Sequence, residues 1–448
     1  MTLNNAASAP PDPSSRKAVG PAVVIGSALE WFDFYLYASM AALVFGKLFF
    51  PESNPTTATL ASMATFAVGF LARPFGGIVF GLIGDKFGRK TVLSATFLLM
   101  GISSGLIGLL PTYSSVGIIA PILLVVLRLL QGLGAGAELG SATAVAYEHA
   151  DAKTRGRRGS LPALGVNIGL FASSLTVTVL TSFSEDFLYG WGWRIPFVAT
   201  FALAGLGFWV RRQMPETPEF EKAARTAQAG AKAKPLRSLL RSHWRGLAVV
   251  MAVTFGYNGV SYIFKTFSLS YLTTFRDVPA NVGAFGITLA SACAIITVPV
   301  AGRICDFVGA KTVILVGAAA TAALAFPFFW LLDTGQHVAI WIALILATGI
   351  VVPAMLSAQG AFLSQQFPTR TRVSGLGTGR EVGGAFSGGL APVAALALVT
   401  ATPGHATWAV SLMFVGGAAL IAVGALFDQI KAVETDEARI AEAVGGRA

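Results

Sequence analysis

Seven ionisable residues interrupt long apolar runs in this chain: Glu30, Asp33, Arg73, Arg128, Glu138, Arg380 and Glu381. A charge at hydrocarbon depth costs several kcal/mol unless it is paired or hydrated, so each of them is a candidate for function. By helix rise, Asp33 stands about 24 Å from Lys17 and about 21 Å from Lys47, near the middle of its run. Arg73 lies about 18 Å before Asp85, and Arg128 about 16 Å after Gly117, which brings both to a similar level. Glu30, Asp33 and Tyr37 are spaced i, i+3, i+7 and share one helical face, which must point away from lipid.

Two chemistries fit this group. In the first, Asp33 or Glu30 permanently neutralises Arg73 or Arg128 and fixes helix packing. In the second, an arginine fork holds a substrate carboxylate while a desolvated acid takes up and releases a proton. Proton coupling is then expected of Asp33 and Glu30, and substrate contact of Arg73, Arg128, Tyr37, Gln131, Tyr257, Asn258 and Arg380. Glu138, about 15 Å beyond Arg128, suits a gate or a loop anchor. Arg380 and Glu381 point about 100° apart on a helix and cannot cancel across one face. Arg380 therefore either reaches a central cavity or joins an inside gate, and Glu381 is placed with the gate.

The elements that must position these residues are membrane helices. The chain has 448 residues, 54% of them hydrophobic and 12% charged, with mean hydropathy +0.68. That is enough for about a dozen spans of roughly 20 residues. Apolar runs punctuated by Gly, Pro and charge predict spans near 21–46, 57–84, 91–111, 116–147, 159–182 and 193–212, then 246–275, 280–305, 311–332, 337–366, 372–400 and 405–428. The expectation is an all-α membrane protein of two six-helix bundles, 21–212 and 246–428. A cytoplasmic tail (1–20), a linker (213–245) and a second tail (429–448) complete it. Gly132, Gly136 and Gly140, and Gly165 with Gly169, have the spacing of close helix packing.

A repeat supports the two halves. GLIGDKFGRKTV (81–92) returns as GRICDFVGAKTV (302–313) with seven of twelve residues identical. Such doubling points to a transporter with matching halves. Asp85, Arg89 and Lys90 in the first copy, and Asp306 in the second, are expected to cap helix ends and lock one conformation.

The net charge of +10 does not indicate nucleic acid, because 25 of the 32 Lys and Arg fall in alternate gaps between apolar runs. Lys47, Arg194, Lys265 and Arg276 are assigned to the opposite side. The positive-inside rule then places both termini in the cytoplasm. The first 18 residues lack a signal-peptide pattern, so none is expected. Cys293 and Cys305 lie on one helix about 18 Å apart and cannot bridge. The four histidines fall in or near loops, and Gly132-x-Gly134 has no preceding strand, so neither metal nor cofactor is expected. Three functions are open on the residues: uptake of a small organic anion with a proton, export of drugs or metabolites, and a membrane-embedded enzyme or receptor. No buried His or Ser constellation favours the last.

EWFDF (30–34), GFLARPFGG (69–77), GDKFGRK (84–90), RLLQGLGAGAELG (128–140), WGWRIPF (191–197) and PETPEF (215–220) together resemble the major facilitator superfamily, and within it the metabolite:proton symporters of bacterial inner membranes. The resemblance implies two six-helix bundles around a central cavity; alternating access is the expected mode and a monomer the expected state. It also implies proton-coupled uptake of carboxylates such as shikimate, 2-oxoglutarate or citrate, or of zwitterions such as proline and betaine. Asp33, Arg73 and Arg128 match the family pattern. Phe307, Val308 and Ala310 depart from it in the second loop, and Arg380-Glu381 has no carry-over from the family.

Overall fold

The computed structural model describes residues 13–51, 54–87, 89–136, 152–213, 243–368, 371–433 and 435, with 143, 147 and 150. The interior of the expected linker, residues 1–12 and most of 429–448, and Glu138 lie outside these.

Every expected span has a helix. In the first half these are α1 (Pro13–Leu43), α2 (Pro55–Phe87), α3 (Arg89–Gly108), α4 (Ile119–Ala135), α5 (Leu161–Thr181) and α6 (Arg194–Gln213). In the second they are α7 (Trp244–Phe275), α8 (Ala280–Val308), α9 (Ala310–Leu324 continued by Pro327–Asp333), α10 (His337–Ser364), α11 (Arg372–Ala401) and α12 (Trp408–Leu426). Among the described residues seven helices are long and apolar enough to cross a bilayer, and α9, bent by 45°, makes an eighth when taken as one span. Large apolar side chains such as Phe75, Ile296 and Trp330 point outward, as they would toward lipid.

Helix pairing shows the internal duplication. In the first half α1 packs on α5, α2 on α4, and α3 on α4 and α6. Adding six to each number gives the pairs of the second half: α7 on α11, α8 on α10, and α9 on α10 and α12. The halves meet through α2 against α11 and α5 against α8, which the same operation exchanges. The duplicated loops are tighter than expected. The backbone is helical up to Phe87 and again from Arg89, and up to Val308 and again from Ala310. Gly309 turns the second corner at φ 87°, ψ 144°, a conformation that side chains with a Cβ avoid.

Small residues set the close approaches. Added Cβ atoms at Gly132 and Gly136 of α4 would collide with the carbonyls of Gly69 and Arg73 on α2. At Gly165 and Gly169 of α5 they would strike the carbonyls of Val24 and Ala28 on α1. These four glycines therefore pack helices, as their spacing indicated.

Candidate functional site

Burial puts the predicted charges inside the bundle, where their polar atoms need partners. Glu30, Asp33, Arg73 and Arg128 are each at most 3% exposed. Asp33 is held by neutral groups. The Ser104 hydroxyl of α3 donates to its Oδ2 at 2.6 Å, and the Gln131 amide of α4 donates to the same oxygen and to Ser104 Oγ. The amide oxygen of Gln131 in turn accepts from Arg128 Nη1. One glutamine thus joins the cation and the acid without their touching. Asp33 Oδ1, Arg128 Nε and Arg128 Nη2 have no hydrogen-bond partner.

Arg128 is enclosed by rings. Its guanidinium carbon lies 4.0 Å from the Tyr37 ring centre, 4.7 Å from Phe34 and 5.2 Å from Phe66, which partly replaces lost hydration. Gly69 makes room, since a Cβ there would run into the guanidinium. Tyr37, expected to touch substrate, instead pairs its hydroxyl with Thr65 at 2.6 Å and offers its face to Arg128.

Arg73 is taken up by carboxylates. Its Nε and Nη2 donate to Glu381 of α11 at 3.1 and 3.3 Å, and Nη2 stands 3.6 Å from Glu30. Only Nη1 is left unpartnered. In this conformation Arg73 therefore joins the two halves. Arg380 reaches the opposite half too, donating to Thr143 at 3.4 Å, with Nε unpartnered. Tyr257 is buried within electrostatic range of Arg380. Asn258 lies over Gly384 of α11, inside the second half.

Of the loop residues, Asp306 is described. Its Oδ1 accepts from the backbone N–H groups of Gly156 at 2.7 Å and Arg157 at 3.3 Å, in the short helix Arg155–Gly159 that leads into α5. This carboxylate of the second half thus caps a helix start of the first. The side chains of Asp85, Arg89 and Lys90, and all of Glu138, lie outside the described residues.

Two participants did not show in the sequence reading. Ser104 looked like any small polar residue of a span, and only the fold brings it to Asp33. Lys265, assigned above to the opposite side in the charge count although the expected span 246–275 contains it, lies inside α7, on a π-helical stretch Ile263–Phe267, and is 4% exposed. Its Nζ donates to Tyr35 Oη of α1 at 3.1 Å. The signal was present, because the apolar run continues well past it to Phe275.

Comparison with known proteins identifies the family and agrees with the fold. The family described as "Sugar (and other) transporter" matches residues 19–242. The chain is 37% identical to the inner membrane metabolite transport protein YhjE of Escherichia coli, covering 86% of this chain and 89% of that one. It is 34% identical to the Escherichia coli shikimate transporter, covering 90% and 92%. To the glycine betaine/proline/ectoine/pipecolic acid transporter OusA of Dickeya dadantii it is 33% identical, covering 86% and 77%. The partially occluded inward-open structure of the xylose transporter XylE from E. coli superposes with a TM-score of 0.68 at 16% identity, covering 92% and 97%. The chain is therefore a member of the major facilitator superfamily, in its metabolite:proton symporter family, a membrane transporter of small molecules and not an enzyme.

Proposed function

We propose that this protein carries a small organic acid into the cell together with a proton, by alternating access, with both termini on the cytoplasmic side. The observation that carries the reading is the buried chain Arg128, Gln131, Asp33, in which cation and acid share one neutral bridge. Each also keeps a polar atom without a partner.

The charges then couple as follows. An ionised Asp33 balances Arg128 through the amide. A carboxylate arriving at Nε and Nη2 of Arg128 cancels that cation, and Asp33 then needs a proton to stay buried, for which Oδ1 is open. Releasing the substrate restores the arginine's charge and expels the proton. Arg73 with Glu381, and Asp306 with its two backbone donors, are contacts between halves that must break when the end carrying the termini opens.

The shikimate transporter among the relatives favours an acid, and OusA keeps a zwitterion as the second reading. A zwitterion would set its cationic end against Glu30 or Asp33. Proteoliposomes given an inward proton gradient test the reading. Organic acids should accumulate inward and alkalinise the outside. Outward movement would instead identify an exporter, and accumulation of betaine alone would select the second reading.

A further inference from the structure

The geometry points to Lys265 as the anchor for a second acidic group, which makes the substrate a dicarboxylate bound across the two halves; this rests on the organic-acid reading above. An ammonium in the interior costs several kcal/mol unless an anion attends it. Arg73 has two carboxylates within 4 Å, whereas among the described residues Lys265 has none. Its one hydrogen-bond partner, the Tyr35 hydroxyl, is neutral, and an ammonium has three N–H groups to place.

Its position relative to Arg128 gives it a role. Arg128 lies against Phe66, Phe66 packs on Tyr262 with ring centres 5.5 Å apart, Tyr262 stands 6.1 Å from Tyr35, and Tyr35 meets Lys265. The two cations, one on each half of the protein, are thus linked through Phe66, Tyr262 and Tyr35. The Tyr262 hydroxyl between them is buried and unpartnered. Arg128 contributes two unpartnered N–H-bearing nitrogens at its end and Lys265 the ammonium at the other. A substrate with a carboxylate at each end supplies one anion to each cation, whereas a zwitterion would bring its cation to one of them. Closing on both ends at once would also draw α4 and α7 together.

The test uses the purified full-length protein in proteoliposomes, with malonate, succinate and glutarate beside butyrate and glycine betaine as competitors and as uptake substrates. In wild type at least one diacid should bind better than butyrate. In Lys265→Gln the ratio of diacid to butyrate affinity should fall about tenfold, the scale of one lost charge contact. Lys265→Arg should recover part of it. Tyr35→Phe, which keeps the ammonium and removes its neutral partner, should retain the diacid preference. A purely structural role predicts that Tyr35→Phe and Lys265→Gln behave alike, and that result would overturn the inference. So would a wild type that prefers butyrate or betaine to all three diacids, or a Lys265→Gln protein with an unchanged ratio. If acids bind with the expected ratios but a proton gradient drives no accumulation, proton coupling fails and the role of Lys265 stands. If the gradient works and the ratio does not move, only Lys265 fails.

Discussion

Arg73 on α2 and Glu381 on α11 form a two-pronged ion pair across the interface of the halves, with Nε and Nη2 at 3.1 and 3.3 Å from the two carboxylate oxygens. The partners are 308 residues apart in the chain. A bidentate pair fixes orientation as well as charge, so it holds the halves in one relative position. Glu381→Ala leaves Arg73 with Glu30 alone. Removing one member of a buried pair should lower stability by about 3 kcal/mol, read as a drop in thermal midpoint, and should open single cysteines introduced on α2 and α11, which have none of their own, to thiol reagents from the side carrying the termini. Unchanged labelling would show that the pair does not restrain opening.

Asp306 makes a separate contact between the halves. Asp306→Ala removes the acceptor for two backbone N–H groups, a loss of about 0.5–2 kcal/mol on the scale of helix caps. Asp306→Asn keeps an acceptor oxygen and should recover most of that stability. Equal melting of the two variants would mean that charge alone matters there.

Close packing of α4 on α2 positions Arg128 and Arg73 together. Gly136→Ala places a methyl group on the Arg73 carbonyl, and overpacking of this kind costs about 1–3 kcal/mol. Gly205→Ala, where an added Cβ meets nothing within 4 Å, serves as the control and should melt with wild type.

Uptake should also depend on pH in one direction. On the proposed coupling, loading requires Asp33 to be protonated from the outside, so the initial rate of acid uptake at fixed substrate anion concentration should rise as external pH falls. In Gln131→Leu, which cuts the link between Arg128 and Asp33, that slope should flatten, as measured in vesicles held at one internal pH.

Much of this was legible in the sequence because the bilayer penalises exceptions. Glu30, Asp33, Arg73 and Arg128 stood out as charges in apolar runs, and the repeat at 81–92 and 302–313 announced the two halves. The packing glycines were readable from spacing alone. The pairing of Arg73 with Glu381 was not, since it depends on the rotation of two distant helices about their axes. Ser104 was hidden because a serine in a span can satisfy itself on the preceding turn. Lys265 was passed over for another reason: it was counted with the opposite-side cations although the expected span 246–275 already enclosed it. The helix continues about 15 Å beyond it.

The most direct measurement compares net accumulation with exchange in Asp33→Asn. Proteoliposomes loaded with unlabelled acid should still exchange it for labelled acid, because the permanently neutral side chain leaves the arginine free to bind. The same vesicles, empty and given an inward proton gradient, should fail to concentrate the acid, whereas wild type does so. Gradient-driven accumulation by Asp33→Asn at the wild-type level would contradict the account.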